Sequence, residues 1–163
     1  MLAIGLGYAA FEFIRSRLNA FPEPVLIDPD DPRMARATQK ALQTIDRFWE
    51  HYNDPAEDED DFALKIRMPI EDGNEQIWVG EISNRNGRWL GRLLNEPVSG
   101  EFQIYQTVEF EPDQICDWTY AKADVLEGNF SLAVMLSELP EKKRQRALSD
   151  FGWSSNDLEL RVS

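Results

Sequence analysis

The chain has one histidine and one cysteine, His51 and Cys116, the smallest pair from which covalent catalysis could be assembled. Each also has a plain structural job. His51 falls at the end of a predicted helix beside Asp54, and Cys116 falls inside a predicted strand as a small apolar side chain. No catalytic role is assigned to either. Asn95, Glu96 and Asp117 fall where predicted strands end, and carboxylates paired at the rim of a small barrel could move protons or hold a metal. Asn and Asp side chains at such places also bond to turn backbone, and that bracing job is the reading preferred for Asn95 and Asp117. The run Glu57, Asp58, Glu59, Asp60 and Asp61 lacks the spaced ligands and glycine of a calcium loop, so it reads as a solvated linker. With no zinc set, Walker loop, dinucleotide fingerprint or nucleophile elbow, the sequence points to no cofactor and no metal.

The elements that must position these residues centre on the middle of the chain. Ile77–Ser83 and Arg88–Leu94 are alternating apolar runs separated by Asn86-Gly87, the strongest short hairpin signal, because a type I′ turn needs positive φ at both central residues. Phe62–Met68 precedes them; Phe102–Glu111 and Cys116–Tyr120 follow. Short connections leave no room for crossover helices, so the strands must pair antiparallel. The change of phase around Gly80 predicts a bulge or bend. In the last strand, Cys116, Trp118 and Tyr120 are expected on one face. The expected fold is α+β: a small, strongly curved antiparallel sheet of about five strands, an SH3-like barrel or half-barrel, with helices packed on it.

Asp31-Pro32 is a helix start, an N-cap carboxylate followed by proline at the first helical position. Met34, Ala37, Ala41, Ile45, Phe48 and Tyr52 then mark one face of a helix running to about His51. Phe130–Leu136, capped by Asn129 or Ser131, and a helix from Pro140 to Gly152 close the domain at residues 31–152. Residues 153–163 read as a C-terminal tail, with too little periodicity to assign an element. The basic cluster Lys142, Lys143, Arg144 and Arg146 reads as a solvated helix face.

Before Asp31, residues 21–30 read as a proline-broken linker. Leu2–Ile14 is apolar apart from Glu12, too short to span a bilayer and without a signal peptide's basic start or cleavage site. Three readings of residues 1–20 stay open: a helix docked on the core or a second copy, an interfacial membrane anchor, or part of a longer hydrophobic segment.

DPRMARATQKALQTIDRFWE, DFALKIRMPIEDGNEQIWVGEI, GRWLGRLLNEPV, VEFEPDQICDWTY and EGNFSLAVML, in that order, resemble the bacterial YegJ-like family, a domain of unknown function. The likeness covers about Pro29 to Phe151. Leu93-Leu94-Asn95-Glu96-Pro97 and Ile115-Cys116-Asp117-Trp118-Thr119-Tyr120 are its most specific pieces. The resemblance implies no activity, cofactor or partner.

Thirty acidic against 17 basic residues give a net charge of −13, which argues against a nucleic-acid partner, since phosphates need a basic surface. The expectation is a non-enzymatic, acidic protein-binding module of a bacterial cell, cytoplasmic or membrane-associated through its N-terminus. Opposite charge would speed its encounter with a basic partner, as in an immunity or antitoxin-like protein. Trp78, Trp89 and Tyr105 are the candidate partner-contact residues. The alternatives are a small hydrolase or ligand-binding enzyme using Asn95, Glu96 and Asp117, and a membrane-peripheral protein tethered by residues 2–14. Oligomeric state is not legible.

Overall fold

A computed structural model describes residues 30–163; residues 1–29, and with them the helix-or-anchor segment and nearly all of the linker, lie outside the described residues. The element order is α1 (Pro32–Gln43), α2 (Ile45–Asn53), β1 (Glu59–Ile70), β2 (Gly73–Arg85), β3 (Arg88–Leu93), β4 (Thr107–Phe110), β5 (Ile115–Lys122), β6 (Val125–Gly128), α3 (Phe130–Ser137), α4 (Glu141–Asp150) and α5 (Ser155–Val162). The strands form one antiparallel sheet ordered β4-β3-β2-β1-β5-β6.

The expected barrel closure is not formed: β4 and β6 stand at opposite edges of an open sheet. The far edge is already occupied. Leu126 N–H donates to the Phe151 carbonyl at 3.1 Å, and Trp153 Nε1 and Arg161 Nε donate to the Leu126 and Gly128 carbonyls at 2.6 and 3.2 Å. The C-terminal segment therefore covers β6 where a closing strand would have to pair.

The Asn86-Gly87 hairpin has the expected positive φ values, 56° and 84°. The bend expected at Gly80 is a register shift between Gly80 and Ser83, with Glu81 at φ 48°. Two strands differ from expectation. The fourth shrinks to Thr107–Phe110, because Tyr105 takes φ 68° and Gln106 N–H turns back to the Gln103 carbonyl. A sixth strand, β6, follows a two-residue turn at Ala123-Asp124, which lacks the Asn-Gly signal yet holds Ala123 at φ 50°.

At the start of the domain, Asp31 Oδ1 accepts the Arg33 N–H at 2.8 Å with Pro32 in the first helical position. The single helix expected to run to His51 is broken at Thr44. Thr44 Oγ1 bonds the Lys40 carbonyl at 2.8 Å, while the Ala41 carbonyl accepts from the Trp118 indole at 3.0 Å. The acidic run is not wholly a linker, because Glu59, Asp60 and Asp61 belong to β1. Glu59 is buried, its carboxylate bonded to His51 Nδ1 at 2.9 Å, Lys122 Nζ at 3.0 Å and Ala56 N–H at 3.0 Å.

Two apolar clusters hold the layers together. One lies between α1–α2 and the sheet and includes Phe48, Leu64, Ile66, Val79, Leu93, Phe110, Trp118 and Tyr120. The other joins Leu126 to α3, α4 and α5 through Leu132, Leu136, Leu148, Phe151, Trp153 and Leu158. The last eleven residues thus belong to the fold: Ser154 and Asp157 form a reciprocal cap that starts α5.

Candidate functional site

β5 carries the key irregularity. Its register against β1 runs Leu64↔Trp118, Lys65↔Asp117, Ile66↔Ile115, leaving Cys116 as an extra residue. Ile115, not Cys116, therefore joins Trp118 and Tyr120 in the core, which corrects the expected grouping. Cys116 is buried with Sγ 3.4 Å from the Lys65 carbonyl, and burial pushes its thiol up to about 11. A thiolate is therefore scarce at neutral pH. His51 instead faces Glu59 and stacks on Tyr120 with ring centroids 5.1 Å apart, so the two residues form no catalytic dyad.

Asp117 is 1% exposed, and both its oxygens are engaged. Oδ1 accepts the Trp118 and Phe130 N–H groups at 2.9 and 3.2 Å; Oδ2 accepts the Ser131 N–H at 2.8 Å and its hydroxyl at 2.6 Å. Phe130 and Ser131 are the first two residues of α3, whose leading N–H groups lack partners within the helix. Asn129 occupies the cap position in a left-handed conformation and its side chain makes no cap bond. The cap is therefore supplied by a carboxylate from a neighbouring strand. Burial pushes the Asp117 carboxyl above its ordinary value, and Lys65 and the bonds from Ser131 and Trp118 oppose that.

From Asp117 a row of contacts runs across the sheet. Ser131 Oγ accepts from Lys65 Nζ at 3.0 Å, and the same ammonium stands 5.6 Å from the Trp78 ring centroid, a cation–π distance. Lys65 is the register partner of both Trp78 and Asp117. Trp78 N–H then donates to Asn95 Oδ1 at 2.8 Å, tying down the chain after β3. Asn95 and Asp117 thus stand at the two ends of this row. With β1 between β2 and β5, the separation from Trp78 to Asp117 alone is about 10 Å. Glu96 is exposed. The three residues proposed for chemistry do not converge on one pocket.

Lys65 and Ser131 are the members that sequence reading missed. Lys65 falls inside the predicted Phe62–Met68 strand with no local signal that singles it out, and Ser131 reads as a local helix cap. A lysine beside a serine can make a nucleophile, but here the hydroxyl donates to Asp117, accepts from Lys65 and is 6% exposed. Trp89 faces the core, its ring 4.9 Å from Trp49 and 6.5 Å from Phe110. Trp78 is half-buried on the opposite face; Tyr105 is half-buried with the Arg92 guanidinium 5.2 Å from its ring centroid. Among the described residues, no group of three His, Cys, Asp or Glu side chains is placed to hold a metal. No described helix is long and apolar enough to cross a membrane.

The open antiparallel sheet, its helices and the braced row define an α+β protein whose conspicuous polar groups fasten elements together. The family model for uncharacterised proteins conserved in bacteria, domain of unknown function 2314, matches residues 31–154, and the chain belongs to that family. It is similar to the uncharacterised protein YegJ of Escherichia coli (strain K12), 25% identical over 115 residues that cover 70% of this chain and 74% of that protein. No solved structure matches.

Proposed function

We propose that this chain is a non-enzymatic, acidic protein-binding module whose partner is a basic protein, in the manner of an immunity or antitoxin-like protein. The observation that carries the reading is the engagement of Asp117: a buried carboxylate bonded to three main-chain amides and one hydroxyl is fastening a helix and has no free oxygen for a substrate. The hydrolase alternative needs Asn95, Glu96 and Asp117 around one opening, and their separation across the strands speaks against it. A net charge of −13 supports a partner of opposite sign, since complementary fields speed encounter and suppress wrong pairings.

Affinity capture from the native host, followed by mass spectrometry and titration of the captured protein in rising salt, tests this. The expected result is a basic protein whose affinity falls as salt rises. Capture of nothing basic would defeat the proposal, and so would a hydrolytic activity abolished by Ser131→Ala. The membrane-tether alternative is decided by fractionating the full chain against a form lacking residues 1–20.

A further inference from the structure

Only one of the two sheet edges is closed by described residues. On β6, the Leu126 N–H and carbonyl and the Gly128 carbonyl are taken by Phe151, Trp153 and Arg161. On β4, the direction of the main-chain groups follows from the register. Leu93 N–H donates to the Gln106 carbonyl at 2.9 Å, and the alternation of antiparallel pairs then puts Gly91–Val108 and Trp89–Phe110 at bonded positions. Thr107 and Glu109 fall between them, so their N–H and carbonyl groups turn away from β3. Both residues are exposed, and among the described residues no hydrogen bond reaches those outward groups. An unpaired strand edge is a template for another strand.

The charge on this edge selects the occupant. From Thr107 to Gln114 the chain carries Glu109, Glu111 and Asp113, all exposed, and no lysine or arginine. Two arginines of β3 stand near it: Arg88, exposed and 3.7 Å from Glu109, a contact that screens little, and Arg92, opposite Thr107 but turned to Glu81 and the Tyr105 carbonyl. A second copy fits poorly, because antiparallel pairing of β4 with β4 through Thr107 and Glu109 would set the Glu109 side chains of the two copies diagonally beside each other on one face.

We propose that the outer edge of β4 accepts an extended, lysine- or arginine-bearing segment of the partner protein as a seventh strand, with Thr107 and Glu109 supplying the main-chain bonds. This rests on the reading of the chain as a module for a basic partner and says where that partner is held.

The test is amide hydrogen exchange, by nuclear magnetic resonance, on the full chain with and without a synthetic peptide of alternating lysine and valine. The controls are its N-methylated form and a glutamate–valine peptide. Glu109→Pro removes one outward N–H without touching a bond to β3, and Glu109→Lys reverses the charge while keeping the N–H. The lysine–valine peptide is expected to slow exchange at Thr107 and Glu109 at least tenfold, the controls to do nothing, and either variant to weaken binding at least tenfold. Protection confined to other amides overturns the edge assignment and leaves the basic-partner reading standing. No saturable binding of the lysine–valine peptide also overturns the edge assignment, while the basic-partner reading stands or falls with the affinity capture. Slow exchange at both amides in the free chain would mean the edge is already paired, and a concentration-dependent dimer abolished by Glu109→Pro would make a second copy the occupant; each overturns the proposal.

Discussion

The Trp118 indole N–H donates to the Ala41 carbonyl at 3.0 Å and lies 3.2 Å from Thr44 Oγ1, at the point where α1 gives way to α2. One side chain of β5 thereby fixes both the end of a helix and the seat of two helices on the sheet. Trp118→Phe keeps most of the apolar contact and removes the donor. It is expected to cost about 2–3 kcal/mol by equilibrium denaturation, from the lost bond and the cavity left by the smaller ring.

Gly128 ends β6 at φ +69°, and a Cβ there would lie 2.3 Å from the Trp118 carbonyl oxygen. Gly87, in the Asn-Gly hairpin, also has positive φ but nothing within 4 Å of the same position. Gly128→Ala is therefore expected to cost about 3 kcal/mol or more through clash and strain together, against about 1–2 kcal/mol for Gly87→Ala through backbone strain alone. Thermal unfolding of the two variants measures the difference.

Neighbouring carboxylates of β1 respond to pH in opposite senses. Glu59 is held down at about 2 by the Ala56 N–H, Lys122 and His51, so the stability it contributes is present above its ordinary value of 4.5 and is lost as pH falls toward 2. Asp61 is pushed up to about 7 by burial and by Asp60, and both its oxygens are buried with no hydrogen-bond partner among the described residues. Between its ordinary value of 3.8 and about 7 the unfolded chain releases that proton while the folded chain keeps it, so stability falls as pH rises through this window and is level above it. Denaturation profiles should show Asp61→Asn lessening the decline from pH 4 to 7, to which the raised Asp117 also contributes, and Glu59→Gln lessening the acid limb, which it shares with Asp31 and Asp157. A decline unchanged in Asp61→Asn would contradict the assignment.

How much of this was legible in the sequence depends on whether the signal was local. Asp31-Pro32 and Asn86-Gly87 specify their own backbone, and both behave as read. Period-two alternation identifies β2 and β3 because each buries one face. The break at Thr44 was hidden because its cause, Trp118, lies 74 residues away. Barrel closure was one of the two expected forms, beside a half-barrel, because short turns leave β-strands no other neighbours, but that argument could not see Phe151, Trp153 and Arg161 arriving at the far edge. The bracing role of Asp117 was visible in kind, from an acid at a strand end. Its object was not: a helix beginning thirteen residues later, started by a strand carboxylate in place of Asn129.

Asn95 supplies one end of the row and Glu96 supplies nothing to it, so the two should separate cleanly. Asn95→Ala leaves the Trp78 N–H without its acceptor and is expected to cost about 1–2 kcal/mol. Glu96→Gln is expected to change stability by less than about 0.5 kcal/mol, as surface substitutions away from special features do. Urea denaturation of both decides it.

The most direct measurement is the unfolding free energy of Asp117→Ala. With the carboxylate fastening α3 to β5, its loss strands buried N–H donors and leaves the Lys65–Ser131 contact without its anion, and a fall of about 3–5 kcal/mol is expected. A variant as stable as the parent would contradict the account, because the carboxylate would not be what fastens α3 to β5.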